Sequence, residues 1–236
     1  MELKEILNKG ITLETSGTTG TPAKHFQSPD KLKAGNRAAI NAQELTASSR
    51  VYTVSKMSHA GGLLAQTLPA FSIGAEVVID KFSPYSFIRN INKYTHTHLA
   101  PGHARAIMGT KGFNDLNLKG VWVTCGSDAV TWDIIRAFVE RGATFMANWG
   151  MTEVGPIAIN ATYRNLEDVF YGQERANTGT ILGNTHYCNH KIVNGCLYIK
   201  GDISVFGDEW YCTNDKVSKN LIGELFYVGR NDGMLL

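Results

Sequence analysis

Residues 121–147 read VWVTCGSDAVTWDIIRAFVERGATFMA, and the fold class follows from this stretch. Residues 121–124 are mostly β-branched or aromatic and predict a strand. The polar run at 125–128 ends that strand, and residues 132–141 predict a helix. Residues 144–147 predict a second strand. A strand, a helix and a strand in succession indicate a crossover between two parallel strands.

The same alternation extends toward the N-terminus. Further strands are predicted at residues 11–15, 51–54 and 76–79, and helices at residues 30–45 and 61–71. Strands that alternate with helices in this way are typical of the α/β class. We therefore expect a mostly parallel sheet flanked by helices.

The pattern changes after about Pro156. Turn-forming residues at 182–184, 193–195 and 206–208 separate short β-rich runs. This spacing favours hairpins over crossovers, and it predicts a smaller antiparallel β lobe over roughly residues 170–230. In α/β architectures ligands bind in loops at the carboxyl ends of the strands, so the unusual loops of this chain are candidate binding sites.

The composition excludes several classes of protein. The 236 residues carry 23 Lys+Arg and 21 Asp+Glu, a net charge of +2, with 43% hydrophobic and 19% charged residues. This balance excludes a polybasic nucleic-acid tail, an acidic tail and wholesale disorder. No apolar run approaches the roughly 18 residues of a membrane span, and the first ten residues lack the apolar segment of a signal peptide. The four cysteines form no CxxC pair. We therefore expect free thiols in a soluble cytoplasmic protein that binds neither nucleic acid nor membrane.

A loop rich in glycine and hydroxyl groups follows the strand at residues 11–15. It consists of Thr15, Ser16, Gly17, Thr18, Thr19, Gly20, Thr21, Pro22, Ala23 and Lys24. Glycines allow close backbone approach, while hydroxyls and successive N–H groups can donate to phosphate oxygens. The spacing differs from the Walker motif, in which Lys and Ser/Thr follow the second glycine directly. The loop is a candidate phosphate site, and an ordinary turn is the alternative.

Three later loops carry further candidate ligand-binding residues. They read NWGMTEVGP at 148–156, WYCTND at 210–215 and GRND at 229–232. Trp149 can stack on a flat base or serve as a core aromatic residue. Glu153 can hold Mg²⁺ or be a solvated charge. Asp215 can accept the two hydroxyls of a ribose with support from Arg230, although a turn acid and a surface cation are the alternatives.

The order of these four loops resembles that of the adenylate-forming superfamily, which includes acyl- and aryl-CoA synthetases, luciferases and peptide-synthetase adenylation domains. That superfamily carries (S/T)SGTTGxPK, YGxTE, (W/F)xxTGD and GRxxD in this order. The present chain has SGTTGTPAK, WGMTE, WYCTND and GRND, with weaker similarities at residues 58–62, 97–102 and 118–128. The resemblance covers nearly the whole chain. The compact layout and the GRND ending are faintly similar to o-succinylbenzoate–CoA ligases.

The resemblance implies a role for each matching residue. The implied ATP-binding residues are Thr15, Ser16, Gly17, Thr18, Thr19, Gly20, Gly126, Ser127, Asp128, Trp149, Gly150, Asp215 and Arg230. Ser127 and Asp128 would lie on one face of the adenine, with Trp149 on the other in place of the usual tyrosine. Three further residues have implied catalytic roles. They are Lys24 at the phosphates, Thr152 at the α-phosphate and Glu153 as the Mg²⁺ ligand.

The resemblance also implies a reaction. A carboxylate oxygen of a small acid would attack the α-phosphorus of ATP, giving acyl-AMP and pyrophosphate, and in CoA ligases the thiol of CoA then displaces AMP. Positioning and charge neutralisation would carry the rate. His59 and Met151 would border the acid, with Thr97 and His98 as further candidates. A structural role for His59 is the alternative.

Besides Trp149, two residues depart from the superfamily pattern. Ala23 separates Pro22 from Lys24, and one inserted residue in an extended segment turns a side chain to the opposite face. A Lys24 side chain that misses the phosphates is therefore the alternative to its implied role. Asn214 replaces the usual glycine, and asparagine tolerates the left-handed backbone better than most residues.

The resemblance predicts an α/β nucleotide-binding lobe at residues 1–160 and an antiparallel β lobe at 161–236 that ends at the hinge motif, where Asp232 lies. The superfamily's N-terminal region and its C-terminal lobe, which carries a transition-state lysine, find no match in this sequence. We therefore expect an impaired or partner-dependent ligase, with self-association or a partner chain covering the open face. The alternatives are a non-catalytic nucleotide-binding module and one half of a split ligase.

Overall fold

The computed structural model describes residues 2–15 and 23–231. Its α-helices are α1 Leu3–Lys9, α2 Pro29–Ala42, α3 Ala60–Gly62, α4 Leu68–Ser72, α5 Pro84–Asn90, α6 Pro101–Met108, α7 Trp132–Val139 and α8 Leu166–Glu174. A π-helical segment, Leu63–Thr67, joins α3 to α4, and short 3-10 turns occupy Ile91–Lys93 and Lys111–Phe113. None of the helices in these two ranges has the length and apolar character needed to cross a bilayer.

The strands form three sheets. They are β1 Ile11–Glu14, β2 Lys24–Gln27, β3 Arg50–Thr53, β4 Glu76–Ile79, β5 His96–Leu99, β6 Trp122–Gly126, β7 Thr144–Met151, β8 Gly155–Tyr163, β9 Thr180–Gly183, β10 Thr185–His186, β11 Asn189–Val193, β12 Cys196–Lys200, β13 Tyr211–Lys219 and β14 Leu225–Arg230. Strands β1 and β2 pair with each other in an antiparallel ribbon.

The largest sheet has the order β10-β8-β7-β6-β5-β3-β4. Its members from β4 to β7 run parallel, while β8 and β10 are antiparallel to their neighbours. The predicted crossover is present, because β6 and β7 are parallel neighbours joined by α7. The predicted α/β class with a mostly parallel sheet is therefore confirmed.

The predicted antiparallel lobe is also confirmed, as a five-stranded sheet in the order β11-β12-β13-β14-β9. The β11–β12 hairpin turns at Asn194 and Gly195, whose φ angles of 51° and 77° are those of a type I′ turn. Strand β9 lies in this sheet, but β10 belongs to the large sheet. Asn184 is the single residue between β9 and β10, and Tyr187 and Cys188 are the two residues between β10 and β11, so two short connections join the sheets.

Three parts of the chain differ from the sequence prediction: the start of β2, residues 148–156, and the segments 210–215 and 229–232. In the last of these, residues 211–215 belong to β13 and residues 229–230 to β14. Lys24, expected in a loop, begins β2, because the backbone of β2 pairs with β1. Residues 148–156, expected to form a loop, instead form a hairpin in which β7 continues to Met151 and turns into β8. The buried apolar strand β8 explains the second difference, since it supplies hydrogen-bond partners that a loop would lack.

The helices cover both faces of the large sheet. One core cluster lies under α5, α6, α7 and α8 and includes Phe87, Ile107, Phe138 and Phe145, all fully buried. On the other face, α2 and the π-helical segment pack against the sheet. A separate cluster that includes Leu197 and Leu225 joins the antiparallel sheet to β8 and α2. The two sheets therefore meet over a packed apolar contact, and a groove opens beside it.

Candidate functional site

A cavity of about 610 Å³ lies where the carboxyl ends of β5, β6 and β7 face the antiparallel sheet. Its lining includes residues from all four sequence loops that were singled out as candidates. The lining residues named in the sequence prediction are Thr15, His59, His98, Ser127, Asp128, Trp149, Gly150, Met151, Thr152, Glu153, Asp215 and Arg230. The fold thus brings together residues that are as much as 215 positions apart in the chain.

Asp215 lies at the centre of a hydrogen-bonded group on one wall of this cavity. The indole N–H of Trp149 donates to its Oδ2 at 2.9 Å, and the guanidinium of Arg230 donates to its Oδ1 at 3.1 Å. Asp215 is buried, with an 8% exposed side chain, and Arg230 is 18% exposed. The two donors compensate for the desolvation of the carboxylate and fix its orientation.

A bulge in β13 orients Asp215. One β12 residue, Leu197, faces Thr213, Asn214 and Asp215, because the pairing register shifts at this point. The hydroxyl of Thr213 donates to the Leu197 carbonyl at 2.9 Å and accepts from the Asp215 amide at 3.1 Å. Asn214 has a left-handed φ of 62°, which explains why glycine or asparagine suits this position.

The residues after β6 form a second wall. Ser127 has a left-handed φ of 74°, and Ser127 and Asp128 both line the cavity. Gly126 does not line it. A Cβ on Gly126 would overlap the Asn148 backbone of the neighbouring strand, so the glycine permits close approach of β6 and β7. Gly126 therefore serves the packing of these two strands in this structure, and its nucleotide-binding role stays a prediction.

Thr152 and Glu153 occupy the turn of the β7–β8 hairpin. The Thr152 carbonyl accepts from the side-chain amide of Gln27 at 3.1 Å, and the Glu153 carbonyl accepts from the Val205 amide at 2.8 Å. Glu153 is buried, and its Oε1 lies 3.5 Å from Nε2 of His25. The turn is thus held from both sides, and it presents one carboxylate to the cavity.

Lys24 does not line the cavity. Its ammonium lies 3.5 Å from a carboxylate oxygen of Glu14, and the lysine side chain is 69% exposed. Side chains alternate along β2, so His25 and Gln27 face the turn of the β7–β8 hairpin and Lys24 lies on the other side of the strand. Lys24 thus lies outside the lining while its partner Glu14 lines the cavity, and the position of the lysine relative to the phosphates stays a prediction.

The cavity lining also includes His59, Gly61, His98 and Met151. Gly61 keeps this part of the cavity open, since a Cβ there would lie 2.8 Å from Oγ of Ser127 and 3.1 Å from Cε1 of His98. Burial lowers the pKa of His98 from 6.5 to about 4, with a smaller contribution from nearby His103. His98 is therefore a neutral imidazole at pH 7.

The remaining comparisons with the sequence prediction concern Thr97 and several residues that carry no sequence signal. Thr97, a predicted acid contact, is fully buried, donates its hydroxyl to the Tyr52 carbonyl at 2.9 Å and does not line the cavity. Residues of the antiparallel sheet that line it were not predicted. They are Thr180, Ile181, Leu182 and Tyr227. Their positions depend on the pairing of β9 with β14, which no local pattern reveals. Ser16, Gly17, Thr18, Thr19, Gly20 and Asp232 lie outside the described residues.

We expect the buried His98 to make the protein acid-sensitive. An unfolded chain takes up a proton on this residue near pH 6.5, whereas the folded chain does so only near pH 4. The free energy of unfolding therefore falls as the pH falls through this window, by up to about 1.4 kcal/mol per pH unit from this group. The test is urea unfolding at pH 7 and pH 4 for wild type and His98→Asn. The variant should lose about 1–3 kcal/mol less over this interval, and an equal loss in both proteins would contradict the prediction.

The residues present fit a magnesium–nucleotide ligand. Glu153 offers a hard carboxylate oxygen next to the Thr152 hydroxyl, and Mg²⁺ commonly binds through one or two carboxylates together with phosphates and waters. Within residues 2–15 and 23–231 there is no cluster of three His, Cys, Asp or Glu side chains that could form an all-protein metal cage. The cavity also has the size of small-molecule sites.

Comparison with known proteins gives the following matches. A family model described as AMP-binding enzyme matches residues 14–206. The chain is 27% identical to an indoleacetate–CoA ligase from Aromatoleum aromaticum, over 94% of this chain and 48% of that protein. It is 23% identical to a feruloyl-CoA synthase from an Amycolatopsis species, over 62% of this chain and 30% of that protein. The chain spans about half or less of the length of these curated relatives.

Solved structures share the fold. O-succinylbenzoate coenzyme A synthetase from Bacillus subtilis, in complex with ATP and magnesium ion, superposes with a TM-score of 0.79 at 18% identity. That match covers 95% of this chain and 50% of the other. The wild-type E. coli enzyme MenE, with a bound analogue, superposes with a TM-score of 0.73 at 16% identity, over 95% of this chain and 48% of that one. At these identities the likeness concerns the fold alone.

Proposed function

Because the chain belongs to the AMP-binding enzyme family of adenylate-forming ligases, we propose that it binds ATP with Mg²⁺ and activates a carboxylic acid as acyl-AMP, releasing pyrophosphate. The named relatives are CoA ligases, and we extend the proposal to CoA as the acceptor of the acyl group. The acid itself is a small carboxylic acid that enters the part of the cavity lined by His59 and Met151.

One observation carries this proposal. The described residues of four separate sequence motifs, namely Thr15, the hairpin turn with Trp149, Asp215 and Arg230, line a single cavity. A chance set of turn acids and surface cations would be scattered over the molecule. Here a buried carboxylate is held by two donors, and a second carboxylate, Glu153, lies at the same opening.

Each residue has a chemical task in this proposal. Asp215 accepts hydrogen bonds from the ribose hydroxyls through its carboxylate oxygens. Arg230 and Trp149 hold that carboxylate in its orientation. Thr152 donates its hydroxyl to the α-phosphate, and Glu153 holds the metal. When bound, Mg²⁺ supplies positive charge that offsets the charge developing on the phosphates.

The part of the cavity lined by His59 and Met151, where we propose that the substrate acid binds, has a separate task. His98 is neutral at pH 7, so it presents no cation that would trap the substrate carboxylate away from the α-phosphorus. Gly61 and Ser127 leave space for the acid beside it. The chain can then orient a carboxylate oxygen toward the phosphate, and this positioning supplies much of the rate.

The experiment that tests the proposal is exchange of labelled pyrophosphate into ATP in the presence of a panel of aryl and acyl acids. Acid-dependent exchange by this chain alone supports the proposal. Nucleotide binding without exchange by any acid would favour the non-catalytic module, and exchange only after addition of a partner chain would favour the split ligase. Absence of any ATP or AMP binding by calorimetry would contradict both nucleotide-based alternatives as well.

The orientation of Lys24 leads to a prediction about the phosphates. We expect Lys24→Ala to change ATP–Mg²⁺ affinity by less than about twofold, because an exposed pair with Glu14 is worth little. The double variant Ala23→Lys with Lys24→Ala moves the positive charge by one position along the strand, to the cavity side. It should tighten ATP binding about 5- to 10-fold, which is the contribution of one charge-assisted hydrogen bond. Isothermal titration calorimetry measures both effects.

AMP provides the control for this pair of variants. It lacks the β- and γ-phosphates, so the double variant should bind AMP with nearly the wild-type affinity. A large loss of ATP affinity in Lys24→Ala alone would mean that the lysine reaches the phosphates after all.

A further inference from the structure

Two cysteines meet on neighbouring strands of the antiparallel sheet, next to the bulge that orients Asp215. The Sγ atoms of Cys196 on β12 and Cys212 on β13 are 3.1 Å apart, and both thiols are free. A disulfide bond is about 2 Å long, so the sulfurs need to approach by only about 1 Å to form one. The approach lies within the range of side-chain rotation.

Strand pairing explains this contact. Cys212 pairs with Tyr198, and Cys196 lies two residues before Tyr198 on the same face of β12. The two cysteines are therefore diagonal neighbours. In a regular ladder such neighbours are about 7–8 Å apart, but the register shift between Cys196 and Tyr198 lets the two sulfurs meet.

The environment favours a thiolate on Cys212. Burial opposes the charged form, but hydrogen bonds from the Cys196 thiol, the Asn214 backbone and the Tyr198 hydroxyl outweigh it, so the pKa of Cys212 lies below its ordinary value. Burial raises the pKa of Cys196 to about 11. Cys212 is thus suited to attack a disulfide first, and Cys196 is suited to react with the mixed disulfide that results. Thiol–disulfide exchange requires these two roles.

The other two cysteines lack these features. Cys125 lies fully buried on β6, and burial raises its pKa strongly. Cys188 is half-buried, and burial raises its pKa to about 12. The only hydrogen-bond contact that the structure gives its sulfur within the described ranges is with the Ala158 carbonyl, at 3.7 Å. Both are expected to be unreactive in the folded protein.

We propose that Cys196 and Cys212 form a modification site that reacts with a small-molecule disulfide such as oxidised glutathione to give an intramolecular disulfide within the native sheet. The Cys212 thiolate attacks one sulfur of the reagent, whose S–S bond breaks and releases one glutathione thiol. The Cys196 thiol then loses its proton and attacks the Cys212 sulfur, releasing the second glutathione. Two protein thiols lose two electrons, and one reagent disulfide becomes two thiols.

The test uses the full chain in the folded state. Wild-type protein is incubated with oxidised glutathione, remaining thiols are alkylated after unfolding, and peptides are mapped by mass spectrometry. We expect a linked Cys196–Cys212 peptide pair, alkylation of Cys125 and Cys188, and full reversal by dithiothreitol. A stable glutathione adduct on Cys212, or alkylation of both members of the pair, would overturn the proposal.

Two variants separate the pair from general thiol chemistry. In Cys196→Ser the second step cannot occur, so the glutathione adduct should accumulate on Cys212. The Cys212→Ser variant should remain unmodified at Cys196. It provides the second test if the Cys196→Ser variant does not fold. Cys188→Ser is the matched control and should form the disulfide as wild type does. A disulfide between Cys188 and another cysteine, formed in the same yield, would contradict the assignment.

Thermal unfolding tests whether the bond fits the native sheet. A cross-link between these positions closes a loop of about 17 residues, for which the rise in Tm of the oxidised protein should be on the order of 5–10 °C. A lower Tm after oxidation would mean that the bond distorts the sheet, and it would overturn the claim that the native geometry accommodates it.

Discussion

Asp215→Ala should weaken nucleotide binding by about 2–3 kcal/mol, or about 30- to 150-fold, because three sets of hydrogen bonds depend on one carboxylate. In the free protein the carboxylate accepts from the Trp149 indole at 2.9 Å and from Arg230 at 3.1 Å. In the proposed complex it also accepts from the ribose. Alanine removes the ribose contact and leaves the two protein donors without this acceptor.

Asp215→Asn is the control that separates charge from hydrogen bonding. The amide retains an oxygen for one donor but loses the negative charge opposite Arg230, so an intermediate loss of affinity is expected. Calorimetry with AMP and with ATP–Mg²⁺ measures the affinities, and circular dichroism confirms the fold. Unchanged nucleotide affinity in a folded Asp215→Ala protein would remove this residue from the nucleotide site.

Gly150→Ala should reduce the free energy of unfolding by about 3 kcal/mol, with a fall in Tm of about 6–12 °C. A Cβ on Gly150 would overlap the Pro156 backbone and lie 2.5 Å from the Gly155 carbonyl oxygen. These atoms belong to the facing strand of the β7–β8 hairpin, so neither can move without disrupting the ladder. The same variant should displace Trp149 and the turn with Glu153, and it should therefore also impair nucleotide binding.

Gly35→Ala is the matched control for this substitution. Gly35 lies in the interior of α2, and nothing lies within 4 Å of where its Cβ would be. Alanine should therefore stabilise the protein by about 0.5–1 kcal/mol, since glycine is a poor residue in a helix interior. Urea unfolding of both variants gives the comparison. A Gly150→Ala protein as stable as wild type would show that the hairpin has more room than the close contact indicates.

The sequence predicts the elements whose signal is local. Strand β6, helix α7 and strand β7 are predicted correctly because two apolar runs flank an amphipathic segment. The β7–β8 hairpin was missed for a physical reason. Its glycines and Pro156 are typical of a loop, but the buried partner strand decides the outcome, and this contact is tertiary.

The candidate site shows the same division. Motif order predicts Asp215, Arg230 and Glu153, all of which line the cavity, whereas Lys24 lies outside the lining beside Glu14 and its role at the phosphates stays a prediction. The bond between the Trp149 indole and Asp215 was not predicted. It requires β7 and β13, from different sheets, to approach each other, and that approach is set by core packing. Sequence reasoning thus identifies the chemistry of the site more readily than its internal bonds.

Asn184, the single residue between β9 and β10, limits how the molecule can deform. Strand β9 is hydrogen-bonded to β14 in one sheet, and β10 is hydrogen-bonded to β8 in the other. Moving the two sheets apart at Asn184 would break the hydrogen bonds between the strands of one of these pairs. We therefore expect the sheets to melt in a single cooperative transition and to remain mechanically coupled when a ligand enters between them.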